Sequence, residues 1–511
     1  MALERLAKKD WTPELAAHLL NRAGFGGSPS DVEALYSLGH ADAVARLLQP
    51  PPSVGLPDPA WANPFSARRE EGMDGPSMRM LDPEVREARQ RVMRKLERAR
   101  LFDLRAWWLH RMRYATHPLQ EKMTLFLHGH FATSHEKVRN AYAMFLQNQT
   151  FRRHATGNWR ELVEAVTRDP AMLIYLDGIQ NTKESPNENY AREVMELFTL
   201  GEGHYTEEDI RDAARAFTGW KFDRRGFSMT FEDRRHDPGR KSFMGRKGNF
   251  TAEEIIGIIL EQPQAARWIA EKLWTFFAYE NPEPSVIDAL AKTLRSQKYE
   301  LLPMIEEMLM SRAFYGGRAF RRQVKSPVQW LVSTCRYLDI ALPEPSQIQP
   351  LLVTLGQNLF EPPNVKGWDG GVTWITTASL GQRYEATSRL ATGRSGSRQR
   401  NRMLNQRDEL QREAAVAGVK IDLPDENTEW LKEVPDPLFD WTALLPEEMR
   451  TSRSDVMEGL MWRLYQSALR DRDRAMLEQY FADLPPVTRW NKDTFARALE
   501  ALMNNPQFQL T

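Results

Sequence analysis

Helix punctuation recurs along this chain with little to compete against it. Thr12-Pro13, Ser28-Pro29-Ser30 and Asp82-Pro83 set a capping side chain ahead of a proline, which the first helical turn tolerates best. Thr206 with Asp209, and Thr251 with Glu254, have the spacing of a capping box. Apolar periodicity between these marks predicts helices over 12–22, 30–48, 83–114, 118–131, 137–148, 158–168 and 171–177. Helices resume from 251 to 391 and close the chain at 451–470, 472–482 and 491–504. Only 220–245 breaks the pattern: FSMTF alternates and HDPG is a turn, so a small β-hairpin is expected there. Strands do not alternate with helices, which disfavours a Rossmann-like or TIM-like fold. The expected class is mainly α, one large multi-helix globular unit with a small β-hairpin near 220–245. Residues 1–395 would form the main helical domain and 396–448 a mobile linker and irregular segment. Residues 449–511 would be C-terminal helices packing on the main domain.

Charge narrows the partners. Lys plus Arg and Asp plus Glu number 69 each, so the net charge is zero and a dedicated polyanion binder is disfavoured. The Arg-rich run 84–100 reads first as a solvated face with pairs such as Glu87–Arg91, and nucleic acid ranks last among partners. The lone Cys335 excludes an intramolecular disulfide and any cysteine-cluster metal site, and lies in an apolar run that suggests a buried inert thiol. No apolar window spans a membrane. The first residues lack an apolar signal region, so the expected location is cytoplasmic.

Residues 185–209 are the densest in polar detail. Ser185, Pro186 and Glu188 read as a helix start, Gly201 as its stop, and Thr206 as the next start. Glu188, Arg192 and Glu196 have ion-pair spacing, while Val194, Leu197 and Phe198 should face inward. Glu193 then flanks the buried face, where with Glu196 it would share a cation or divide acid and base roles. Asn187 and Asn189 would orient a ligand. In LFLHGHFATSHEK, a regular helix places His130 inward and His128 outward; both would reach one metal only if Gly129 distorts the helix. Satisfied structural histidines are the competing reading. His204 follows the Glu193 helix, and His236 and Lys241 flank the HDPG turn as further candidates. RAGFGG lacks dinucleotide spacing, and no GxSxG, HExxH, Walker A or EF-hand pattern is present.

The runs NENYAREVMELFTLGEGHYTEEDIRDAARAFTGW, EKMTLFLHGHFATS, HDPGRKSFMG, VKSPVQWLVST and LGQNLFEPPNVKGWDGG, with LLNRAGFGGSPSDVEAL and ALMNNPQFQL at the two ends, resemble the bacterial domain-of-unknown-function-1800 family in order and over nearly the whole chain. The resemblance implies one mostly helical unit. It implies no established reaction. Members are often exported, so the resemblance leaves a periplasmic location open, and they are often encoded beside a sulfatase-like protein, which is the implied partner. Relatives often carry His where this chain has Phe198, so a family metal site using that histidine would lack a ligand here.

Two functions are expected from these residues. One is a helical enzyme of unknown reaction with a polar His/Glu/Asn pocket and a divalent metal as candidate cofactor. His128, His130 and Glu193 would be its ligands or acid–base groups, with His204 and His236 as further catalytic candidates and Asn187, Asn189, Glu196 and Lys241 as binding residues. The alternative is a non-catalytic binding or assembly protein. Its groove would be walled by Trp107, Trp108, Trp220, Trp368 and Trp374 and would hold a partner protein or a saccharide.

Overall fold

The computed structural model describes residues 3–49, 56–63, 81–223, 228–392, 397–419, 421, 423 and 444–511, with only the backbone of 397–406. Residues 50–80, whose Pro and Gly content reads as an irregular surface excursion, and the acidic, Pro-rich 421–448 lie largely outside the described residues. Among those described, 22 α-helices accompany two small antiparallel hairpins, so the chain is mainly α. One hairpin pairs Trp220–Asp223 with Ser228–Phe231, the other Lys241–Phe243 with Arg246–Gly248. The expected single hairpin is thus two, separated by the HDPG turn. No helix among the described residues is long and apolar enough to cross a membrane.

Local signals set most boundaries. Ser28 and Asp31, Thr206 and Asp209, and Thr251 and Glu254 each close a reciprocal capping box. The helix expected over 30–48 is two, Pro29–Tyr36 and His40–Leu48, divided at Gly39. The helix expected from Pro186 begins later. Asn187 is its cap, accepting from the Asn189 amide at 2.9 Å, while Ser185 bridges back to Thr182. Part of the stretch expected to be a mobile linker is also helical. Ser397–Val416 forms a helix whose Leu410 and Ala414 bury against Val92 of the Pro83–Tyr114 helix.

Two large apolar clusters make the core. The first joins the N-terminal helices to residues 119–319, and the second joins Leu101–Met112 and Val328–Leu342 to the helices of residues 453–503. The Pro118–His130 helix belongs to both: Leu119, Met123 and Leu127 enter the first and Leu125 the second. Its C-terminal end is therefore held between the two cores, and the candidate site forms around that end.

Candidate functional site

The helix opened by Asn187 changes its winding halfway. Glu188–Glu193 is α-helical and Val194–Thr199 is a π-helix, a form that recurs at functional sites. The Leu200 amide reaches back to the Met195 carbonyl at 2.9 Å, and the Thr199 hydroxyl to the Val194 carbonyl at 2.6 Å. Carbonyls at such an end lack backbone partners. Three side chains supply them: Trp268 Nε1 donates to Leu197 (2.9 Å), His130 Nε2 to Phe198 (3.0 Å) and Gln264 Nε2 to Leu200 (3.1 Å). The π segment is thus clamped along one side, and Glu193 and Glu196 keep partial access to solvent.

Glu193 is half-buried and makes no hydrogen bond or ion pair among the described residues. Burial pushes its carboxyl above the usual range, the charge of Glu196 adds to this, and Arg192 and Lys366 oppose it. Burial and Glu193 together raise the Tyr175 phenol. Glu196 instead accepts from the Tyr205 hydroxyl at 3.0 Å, and burial and that bond hold the Tyr205 proton in place. Lys366 comes from the far loop NVKGWDGG and lies 3.8 Å from Glu202. That loop is pinned where Gly367 meets the helix end; a Cβ there would stand 2.2 Å from the Gly129 carbonyl oxygen. The result is two carboxyls in unlike surroundings, one unpartnered and protonated more readily, one oriented by a phenol. Two carboxyls in unlike surroundings can divide acid and base roles. Tyr175, Tyr205 and Lys366 were not singled out from the sequence. The local signals were Tyr205, next to His204, and Lys366 inside the run LGQNLFEPPNVKGWDGG.

Both central histidines belong to the packing. The helix stays regular to His130; His128, expected outward, is fully buried, while His130 is inward as expected, packed on Phe126, Trp159 and Phe198 with some exposure left. His128 Nε2 accepts from the Phe360 amide at 2.9 Å, with the rings of Trp108, Phe360 and Trp368 around it. Burial and then Arg105 push its pKa down to about 3; burial and then Lys272 do the same for His130. Both rings are neutral, and their Nε2 atoms are engaged with different backbone groups. Among the described residues no three His, Cys, Asp or Glu side chains gather as a metal site, so His128, His130 and Glu193 do not fit the divalent metal expected of them. Asn187 and Asn189 donate to the carbonyls of Asp177 (3.4 Å) and Leu176 (3.3 Å), tying the helix start to the preceding loop. His204 is exposed.

His236 and Lys241 belong to a separate clamp. His236 Nδ1 lies 3.1 Å from the Thr218 carbonyl, Lys241 Nζ donates to the Asp237 carbonyl at 2.7 Å, and Arg215 binds the Asp237 carboxylate at 2.7 Å. This fastens the turn to the Glu207–Ala216 helix, which packs on the Asn187 helix from behind. Trp220 meets Phe231 edge to face with Arg168 over its ring, and Trp368 packs at a tilt on His128. Trp107 and Trp108 have no exposed surface and wall no groove.

No curated protein and no solved structure matches this chain. A family model does, over residues 18–510. The order of the motifs, the helical architecture and that match agree, and the chain belongs to the family described as Protein of unknown function (DUF1800).

Proposed function

We propose that this chain is an enzyme whose reaction turns on proton transfer at Glu193, acting on a polar substrate held between the π-helix and the 359–374 loop. The observation that carries the reading is Glu193 itself. An unpartnered carboxyl, half-buried beside a second carboxylate, is held above its ordinary pKa by burial and by that neighbour. Protonated Glu193 gives its proton to a leaving group, and Glu196, oriented by Tyr205, takes one from the attacking hydroxyl or water. The arrangement calls for no metal. A second reading, a binding or assembly protein, draws support from the engagement of His128, His130, Asn187 and Asn189 with backbone groups. A sulfatase-like partner belongs to that reading.

The test compares wild type with Glu193→Gln in small-molecule and oligosaccharide mixtures, followed by mass spectrometry. We expect a compound consumed by wild type at a rate about 10²–10⁴ times that of the variant, with melting temperatures alike. Identical consumption profiles from two equally folded proteins would sink the enzyme reading and leave the binding one.

A further inference from the structure

Two motifs left unused by the candidate site, VKSPVQWLVST and ALMNNPQFQL, come together elsewhere, around Lys325. Its backbone amide donates to the Gln509 carbonyl at 2.8 Å, and its carbonyl accepts from Arg383 Nη2 at 2.9 Å. Lys325 is 1% exposed and Arg383 0%. The Lys325 ammonium lies 4.3 Å from the Phe508 ring centroid and 4.8 Å from that of Tyr337, with no acceptor. Arg383 Nη1 donates to Gln509 Oε1 at 3.0 Å, but its Nε has no acceptor; neither does Arg321 Nε nor Gln509 Nε2. Among the described residues no carboxylate acts on any of these cations. Lys325 instead has its charge disfavoured by burial and then by Arg321 and Arg383.

A buried cation without a counter-charge is expensive, and ring faces and carbonyls offset only part of that cost. Proton loss is a way out for lysine alone. The guanidinium groups keep their charge, so neutralising Lys325 would still leave two arginines and four donor atoms unmatched. An oxyanion answers both deficits, because it carries the missing charge and accepts several N–H bonds at once.

We propose that the Lys325 cluster binds one small oxyanion, phosphate or sulfate in size, with Lys325 Nζ, Arg383 Nε, Arg321 Nε and Gln509 Nε2 as donors. Burial of three of the four residues excludes a bulky organic ligand. The bound ion joins the 321–337 segment and the Thr377–Thr392 helix to residues 505–511, and so acts as an internal latch independent of Glu193.

Two measurements on the full chain test this. Ion chromatography of the supernatant from desalted, denatured protein should find about one oxyanion per chain and tells phosphate from sulfate. Melting curves in added phosphate or sulfate, at ionic strength balanced with chloride, should rise by about 3 °C at a hundredfold excess over Kd. Lys325→Met should lose that response. Gln509→Glu puts a carboxylate of nearly the same shape against Arg383; it should melt higher than wild type and ignore added oxyanion, and it decides the matter if the lysine variant does not fold. The proposal is overturned if no oxyanion is released and the melting is flat, if chloride alone gives the same rise, or if Gln509→Glu responds as wild type does.

Discussion

His128 and His130 show how far a residue's meaning depends on what surrounds it. The spacing placed them on one helix and left structural and chemical roles open; the choice lay with Phe360 and Phe198, far off in sequence. Both rings are neutral in the fold, with pKa values about 3 against 6.5 in the unfolded chain. The sign follows from proton counting. Above pH 6.5 neither state binds the proton. Below it the unfolded chain does and the native one does not, so stability falls as pH drops from 6.5 toward 3. For His128, with no exposed surface, the loss at pH 4.5 is about 2–3 kcal/mol. His128→Gln keeps an acceptor for the Phe360 amide and removes the titration. It should be less stable than wild type by about 1–3 kcal/mol at pH 7, and that gap should close by about 2–3 kcal/mol at pH 4.5. Urea denaturation at the two pH values measures this. A gap that does not change with pH would mean that His128 takes up its proton inside the fold.

At the scale of elements, what local chemistry decides was legible and what tertiary contact decides was not. Thr206 with Asp209 marks a helix start with four residues of sequence, and the structure has the cap there. The π winding of Val194–Thr199 depends on carbonyls claimed by His130, Gln264 and Trp268 from other helices, which no window around 194 contains. Likewise Leu410 and Ala414, within the stretch expected to be a linker, lie on a helix that packs on Val92 of a helix distant in sequence. The end of the π-helix offers a comparison with its own control. Gly201 has φ +85°, and a Cβ there would meet the Trp268 ring at 2.8 Å; Gly203 has φ +81° with nothing within 4 Å. Gly203→Ala should cost about 1 kcal/mol, the backbone term alone. Gly201→Ala adds a clash with the ring that holds the Leu197 carbonyl, for about 2–4 kcal/mol in all. Thermal melts rank the two, and faster amide exchange confined to 196–201 in Gly201→Ala would locate the damage. Equal costs would mean that Trp268 does not brace the π segment.

For the whole molecule, the decisive question is how two cores are held in register along one helix. Glu121 sits at that junction, 1% exposed, on the helix that enters both clusters. Arg152 binds it through Nε at 2.6 Å and Nη2 at 3.0 Å, Arg111 through Nε at 3.0 Å and Trp108 through Nε1 at 2.9 Å. These partners lie on the Pro83–Tyr114 and Ala141–His154 helices, so one carboxylate stitches three helices. Burial alone would raise the Glu121 pKa; the two guanidinium groups more than reverse this and hold it below the usual carboxylate range. The many surface pairs are of another kind. Arg91 and Glu87, both more than half exposed at 3.5 Å, gain little from each other in high dielectric. The two classes should therefore separate in experiment. Glu121→Gln leaves Arg152 and Arg111 buried without their counter-charge and should cost about 3–5 kcal/mol in chemical denaturation. Glu87→Gln should fall within about 0.5 kcal/mol of wild type. Because the loss lies in the uncompensated arginines, adding Arg152→Met to Glu121→Gln should restore part of it, a non-additivity of about 1 kcal/mol or more. Strict additivity would mean that the charge network is incidental and that apolar packing alone keeps the two cores aligned, and with them the helix end from which His130 holds the π segment.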